Sequence, residues 1–223
     1  MADTTPDPAH VEPGGVAWLE DLGTAQVRKA SVSEMDNNCY LVTCHQTGAQ
    51  LLIDAAADAE RLRDLVNAGS GQLTTVVTTH QHWDHHRALG ALVDTYAPRT
   101  AAGAPDASAL PVLPDVELTH GDRITVGELV LDVIALRGHT PGSIALALTD
   151  GAGRARLFTG DSLFPGGPGK TPDASAFTSL MDDLEARVFD VYPDATVVHP
   201  GHGDSTTLGA QRPHLAEWRA RGW

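Results

Sequence analysis

The chain is short of positive charge and has no long apolar run, and both shortages narrow its partners. Lysine and arginine total 15 of 223 residues against 29 aspartates and glutamates, a formal net charge of −14. Binding to nucleic acid or to anionic lipid draws on clustered cations, so neither is an expected partner. No apolar run approaches the ~18–20 residues of a membrane span. Residues 1–15 carry Asp3, Asp7 and Glu12. They have neither the basic nor the apolar stretch of a signal peptide. They read as a disordered, proline-containing tail, and the cytoplasm is the expected location. There are two cysteines, Cys39 and Cys44. Five residues apart on one strand, they would face opposite sides, which predicts two reduced thiols. No proline- or glycine-rich linker divides residues 16–223, so one domain is expected, long enough to bury roughly 70–75% of its unfolded surface. A Gly-x-Ser-x-Gly elbow for a serine nucleophile is missing. Gly169-Lys170-Thr171 is not a phosphate loop, because Phe164 stands where that motif needs its first glycine.

Histidine is plentiful, with 11 residues. Short β-rich runs at 25–32, 39–43 and 50–53 precede a helix over 56–67, where Leu62, Leu65 and Val66 share a face. A strand at 73–78 and a second helix at 86–95 follow. Strands resume from Val116, at 123–126, 129–135, 144–149 and 155–159. A long helix then carries Phe177, Leu180, Met181, Leu184 and Val188 on one face, with Asp182, Asp183 and Glu185 on its solvated side. A strand at 196–199 and a helix at 214–221 end the chain. The order predicts an α/β fold of two mixed sheets packed on each other with helices outside.

The chemistry concentrates after the 73–78 strand, in Thr79-His-Gln-His-Trp-Asp-His85. His80 and His82 are two apart and point the same way on extended backbone, and Asp84 and His85 follow where the chain turns. Three imidazoles and a carboxylate suit zinc, iron or manganese. This spacing arises by chance in about 0.2–0.3% of chains of this composition. His139, Asp161 and His202 lie downstream, each at a strand end beside glycine or proline. A rigid sheet holds ligands so placed, yet leaves them open to substrate. Together they make five histidines and two aspartates, enough for two metals.

This series resembles the metallo-β-lactamase superfamily over about residues 37–214, which implies a four-layer αββα sandwich. By position, the resemblance implies that His80, His82 and His139 hold one divalent metal and that Asp84, His85 and His202 hold a second. Asp161 would bridge them. Zinc comes first, with iron and manganese as alternatives. His202 rather than His199 matches the last motif, because the family's ligand follows Pro-Gly. Asp54 resembles the family's supporting carboxylate beside the ligands.

Within the superfamily, a bridging aspartate is unlike the antibiotic-hydrolysing members, and His82 is unlike the flavodiiron branch. The segment from Gly160 to Thr171, with Gly167-Pro-Gly-Lys170, is similar to the glyoxalase II-like hydrolases. In these the cation of that turn faces the carboxylate of a thiol carrier, a role Lys170 matches. Glutathione-specific members carry Glu-Tyr after the last metal histidine and a helical C-terminal domain. Here Gly203-Asp204 follows His202, so the pattern is closer to the short members and leaves another thiol, such as mycothiol, open as the carrier.

The resemblance implies hydrolysis of a small-molecule thioester or ester. On that reading two metals would supply a hydroxide to attack the carbonyl, with Asp161 and Asp84 in the catalytic centre and Trp83 and Phe164 at the mouth. Two other reactions fit the same motifs. One is opening of a lactone or small ester. The other is a mononuclear-iron persulfide dioxygenase, which would use His80, His139 and Asp161.

Overall fold

A computed structural model describes residues 10–222. The first sheet is built from β1 (Trp18–Asp21), β2 (Ala25–Val32), β3 (Asn37–Cys44), β4 (Gln50–Ile53), β5 (Leu73–Thr78), β6 (Arg99–Gly103) and β7 (Val116–Leu118), side by side in chain order. Its first four strands pair antiparallel, and β4 to β7 run parallel. The second sheet is built from β8 (Arg123–Val126), β9 (Leu129–Ala135), β10 (Ile144–Thr149) and β11 (Ala155–Gly160), joined later by β14 and β15. A two-stranded hairpin, β12 (Leu163–Phe164) and β13 (Gly167–Pro168), intervenes before β14 (Val197–Pro200) and β15 (Thr206–Thr207). The order across the second sheet is β15-β14-β11-β10-β9-β8, with β11 and β14 parallel.

Side-chain alternation decides which face meets what. On β10, Ile144, Leu146 and Leu148 point between the sheets, while Ala145 and Ala147 point outward and leave room for a helix. The helix over them is α3 (Ala174–Leu184), started by Asp173, whose carboxylate accepts from Ala176 N at 2.8 Å. On the other outer face, α1 (Ala59–Ala68) and α2 (Leu89–Tyr96) cover Leu41, Leu52 and Val76. Two short helices, α4 (Leu208–Gln211) and α5 (Leu215–Arg221), finish the α3 side, where Trp218 is buried. The core lies in three layers, between the sheets and under each helical face, and each fully buried leucine in them contributes roughly 1.5–3 kcal/mol.

The fold is the mixed α/β sandwich expected. Cys39 faces the helical layer and Cys44 the inter-sheet layer, and both are free. Several boundaries differ. The expected helix at 86–95 begins at Leu89, because Trp83–His85 forms a tight 3-10 turn first. The helix expected from 56 begins after Asp58, which caps it through Arg61 N. The long helix widens to a π turn at Glu185–Phe189. Of the tail expected over 1–15, residues 1–9 lie outside the described residues. The remainder is packed: Val11 is buried, Gly14 N donates to Ser31 O, and Arg61 bonds Gly15 O. Among the described residues, no helix is long and apolar enough to cross a membrane.

Candidate metal centre

Five strand ends of the sandwich converge on one edge. Asp54 follows β4, His80 and His82 follow β5, His139 lies between β9 and β10, Asp161 follows β11, and His202 follows β14. The 3-10 turn after His82 swings Asp84 and His85 back under the same point. Glycines make this crowding possible. Gly138 adopts φ +139° against α3, and a Cβ at Gly201 would collide with Asp161 Oδ1 and come within 2.7 Å of His85 Cε1.

The sequence-singled residues fall into overlapping groups whose ligand atoms lie within 4.8 Å of one another. One group is His80, His82 and His139; another is Asp84, His85 and His202; a third joins His80, His85 and Asp161. Asp161 touches both sides. Its Oδ1 is 3.4 Å from His85 Nε2, and its Oδ2 is 3.6 Å from His139 Nε2 and 3.4 Å from His202 Nε2. Lys170 lies on the loop after β13 with an exposed side chain, while its backbone carbonyl faces His139.

A surrounding layer of hydrogen bonds fixes how the rings face. His85 Nδ1 donates to Asp54 Oδ2 at 2.8 Å, His139 Nδ1 to Lys170 O at 2.6 Å, and His202 Nδ1 to Met35 O at 2.7 Å. Thr79 Oγ1 donates to Asp54 Oδ2 at 2.8 Å, so its lone pair receives His80 Nδ1 at 3.0 Å. Each ring thereby turns Nε2 inward as an acceptor. The Nε2 atoms of His85 and His202 stand 3.1 Å apart. Acceptors facing acceptors and carboxylates are what a bound cation reconciles. Three buried atoms there, His80 Nε2, His139 Nε2 and Asp161 Oδ1, have no hydrogen-bond partner. The donor set therefore fits metal ions.

Electrostatics agree. Burial, with the neighbouring His85, holds His80 well below the ordinary histidine range, so its lone pair stays available. Burial also lowers His139. At His85 burial opposes charge, but Asp54 and Asp161 outweigh it and push the imidazole up to about 10. The carboxylates around His85 thus favour positive charge at this centre, which a bound cation would supply. Burial also works against an ionised Asp161, yet the His202, His85 and His80 imidazoles around it hold it well below the carboxylate range.

Several residues that shape the site carry no motif in the sequence. Asn37 Nδ2 donates to Asp84 Oδ2 at 2.9 Å, across the isolated bridge between Asn37 and His202. Asp106, fully buried, accepts from Gln81 N, Thr140 Oγ1 and Gly142 N, tying the β5 and β9 loops together. Asp183 is buried rather than solvated: it accepts from Arg137 N at 2.9 Å and from the Arg137 guanidinium at 2.7 and 2.8 Å, beside Gly138-His139. None of these stands in a metal-like spacing, so pattern alone carries no signal for them.

The model of the metallo-β-lactamase superfamily matches residues 32–202, from β2 through His202. The chain belongs to that superfamily. It is similar to a hydroxyacylglutathione hydrolase of Ruegeria pomeroyi, 36% identical over 169 residues, which are 75% of this chain and 62% of that protein. The match thus spans under two thirds of that relative's length. Among solved structures of this superfamily fold, ETHE1 from Myxococcus xanthus is 33% identical, covers 87% of this chain and 84% of its own, and superposes with a TM-score of 0.72. A second, TTHA1623 in a di-iron-bound form, is 31% identical over 82% of this chain and 96% of its own, with a TM-score of 0.68.

Proposed function

We propose that the chain is a metal-dependent hydrolase that cleaves a thioester of a low-molecular-weight thiol at a centre of two divalent metal ions. His80, His82 and His139 would hold one ion, Asp84, His85 and His202 the other. The observation that carries this reading is the reach of Asp161, whose two oxygens lie 3.4–3.6 Å from histidines of both groups. One carboxylate between two ligand sets is the arrangement a metal pair shares. Bound there, the ions would supply a hydroxide at neutral pH and polarise the carbonyl it attacks. The relatives named hydroxyacylglutathione hydrolase support a thioester over other esters.

The chain's own residues orient and bind. Asp54, Thr79, Lys170 O and Met35 O lock the imidazoles through Nδ1. Asn37 holds the Asp84 carboxylate in place. Trp83, 58% exposed, and Phe164, whose ring lies 6.5 Å from that of His202, edge the centre. The Lys170 ammonium, free to reach solvent, meets a carboxylate of the thiol carrier.

One observation favours a second reading. The orphaned buried atoms of the site belong to His80, His139 and Asp161, the three ligands a mononuclear-iron persulfide dioxygenase would use. Thiol release from a panel of S-acyl thioesters, S-lactoylglutathione included, separates the two. Protein reconstituted with zinc and, separately, with iron should release thiol in a metal-dependent way and bind two ions per chain. One iron per chain, no thiol release, and oxygen uptake with a persulfide would replace the hydrolase by the dioxygenase.

A further inference from the structure

Lys29 sits where the fold has least use for a charge. It lies on β2 in the alternation Ala25, Val27, Lys29, of which Ala25 and Val27 face the layer between the sheets. Its side chain is 0% exposed. Burying an ammonium costs several kcal/mol unless hydrogen bonds compensate, and a leucine at this position would carry no such penalty. One such bond crosses to the turn after β14: Lys29 Nζ donates to Gly203 O at 2.6 Å.

Gly203 follows His202 directly. The turn that carries His202 is held by its carbonyls on both sides. Tyr40, paired with Lys29 across β2 and β3, donates its hydroxyl to Pro200 O at 2.8 Å. Asn38 Nδ2 reaches both Pro200 O at 3.0 Å and Gly203 O at 2.9 Å. The Asn38 amide has one N–H for each carbonyl, and Lys29 adds a charge-assisted bond to the second of them. The turn has little freedom otherwise, because Gly201 is pressed against Asp161 and His202 Nδ1 is committed to Met35 O.

We propose that Lys29 is a positioning residue for His202: its buried ammonium anchors the Gly203 carbonyl and so sets the reach of the His202 imidazole toward Asp84, His85 and Asp161. This rests on the reading of those residues as metal ligands. Its consequence is selective. The group of His80, His82 and His139, borne on other loops, does not depend on Lys29, whereas the group containing His202 does.

The test is metal titration of chelator-treated protein with zinc, reading each binding step by calorimetry, with no assay of turnover. The unaltered chain should show two steps. Lys29→Met should weaken one step by roughly ten- to a hundredfold, the range for loss of a group that orients a ligand, and leave the other unchanged. His202→Ala should weaken that same step, and Lys29→Met on top of His202→Ala should add nothing to it. Equal weakening of both steps, or a lowered melting temperature with both steps intact, would make Lys29 a plain core residue and overturn the proposal. If Lys29→Met does not fold, Lys29→Arg decides: it keeps the charge but changes its reach, and a shift confined to one step supports the proposal while none, or an equal one, overturns it. Absence of zinc binding by the unaltered chain would instead bring down the ligand reading beneath it.

Discussion

Asp54 Oδ2 lies 2.8 Å from His85 Nδ1, with both side chains buried, and it joins the end of β4 to the turn that follows β5. The same carboxylate also receives Thr79 N at 2.7 Å and the Thr79 hydroxyl at 2.8 Å. Three donors on one buried carboxylate fix two imidazoles at once, His85 directly and His80 through Thr79. Asp54 holds this position at φ +60°, a left-handed conformation that costs most side chains about 1 kcal/mol.

Asp54→Ala leaves the His85 and Thr79 donors buried without an acceptor. Stability of the metal-free protein should fall by roughly 3 kcal/mol, and metal affinity by roughly ten- to a hundredfold. Asp54→Asn tolerates the left-handed backbone, so it separates loss of charge from strain. Urea unfolding and metal titration of both variants check this. Unchanged affinity in Asp54→Ala would show that the His85 ring does not need its carboxylate.

How much of this was legible beforehand follows from what pattern can carry. The β10 run Ile144-Ala-Leu-Ala-Leu148 announces a strand by alternation, and its extent came out as read. β1 at Trp18–Asp21 and β6 at Arg99–Gly103 were not anticipated, since neither a strand that begins with Trp-Leu and ends with Glu-Asp nor one rich in small residues carries a strong apolar period. The ligand candidates were legible because His80, His82, Asp84 and His85 are contiguous. Asn37, Asp106 and Lys29 were not, because each acts across the fold, on residues 47, 34 and 174 positions away. Asp183 was misread for a related reason: its neighbours Asp182 and Glu185 do face solvent and pair with Arg219, and local charge density cannot say which carboxylate points inward.

The contrast between those aspartates is measurable. Asp183 receives a backbone N–H and the Arg137 guanidinium, whereas Asp182 pairs with Arg219 on the surface. Asp183→Ala should destabilise the chain by roughly 2–3 kcal/mol, and Asp182→Ala by about 0–1 kcal/mol. Urea midpoints of the two variants decide it. Equal losses would mean that the Arg137–Asp183 contact does not anchor the loop before His139.

Gly201 offers a steric test of the cluster itself. A methyl there would collide with Asp161 Oδ1 and press His85 Cε1. Gly201→Ala should therefore lose bound metal and hydrolysis together while the sheets stay folded, because the clash lies at a strand end beyond β14. Metal content by mass spectrometry and far-UV circular dichroism are the readouts. A variant that keeps the metal content of the unaltered chain would show that Asp161 and His85 can separate without cost.

A fully buried histidine outside the ligand cluster sets an acid limit on stability. His199 is fully buried among the rings of Trp18, Tyr40 and Phe158. Burial first, then the nearby Lys29 and Arg156 cations, push it down to about 3. In the unfolded chain a histidine titrates near 6.5. Between those values the unfolded state holds a proton that the folded state refuses, so this contribution is fully present above about pH 6.5 and is lost as the pH falls toward 3. His199→Phe keeps a ring against Phe158 and removes the titration. In metal-free protein, its stability should fall less steeply than that of the unaltered chain from pH 6 to pH 4, by up to about one proton, or 1.4 kcal/mol per pH unit. Urea midpoints across that range measure the difference, and parallel slopes would show that His199 accepts its proton in the folded state, with the Lys29 and Arg156 charges too well screened to prevent it.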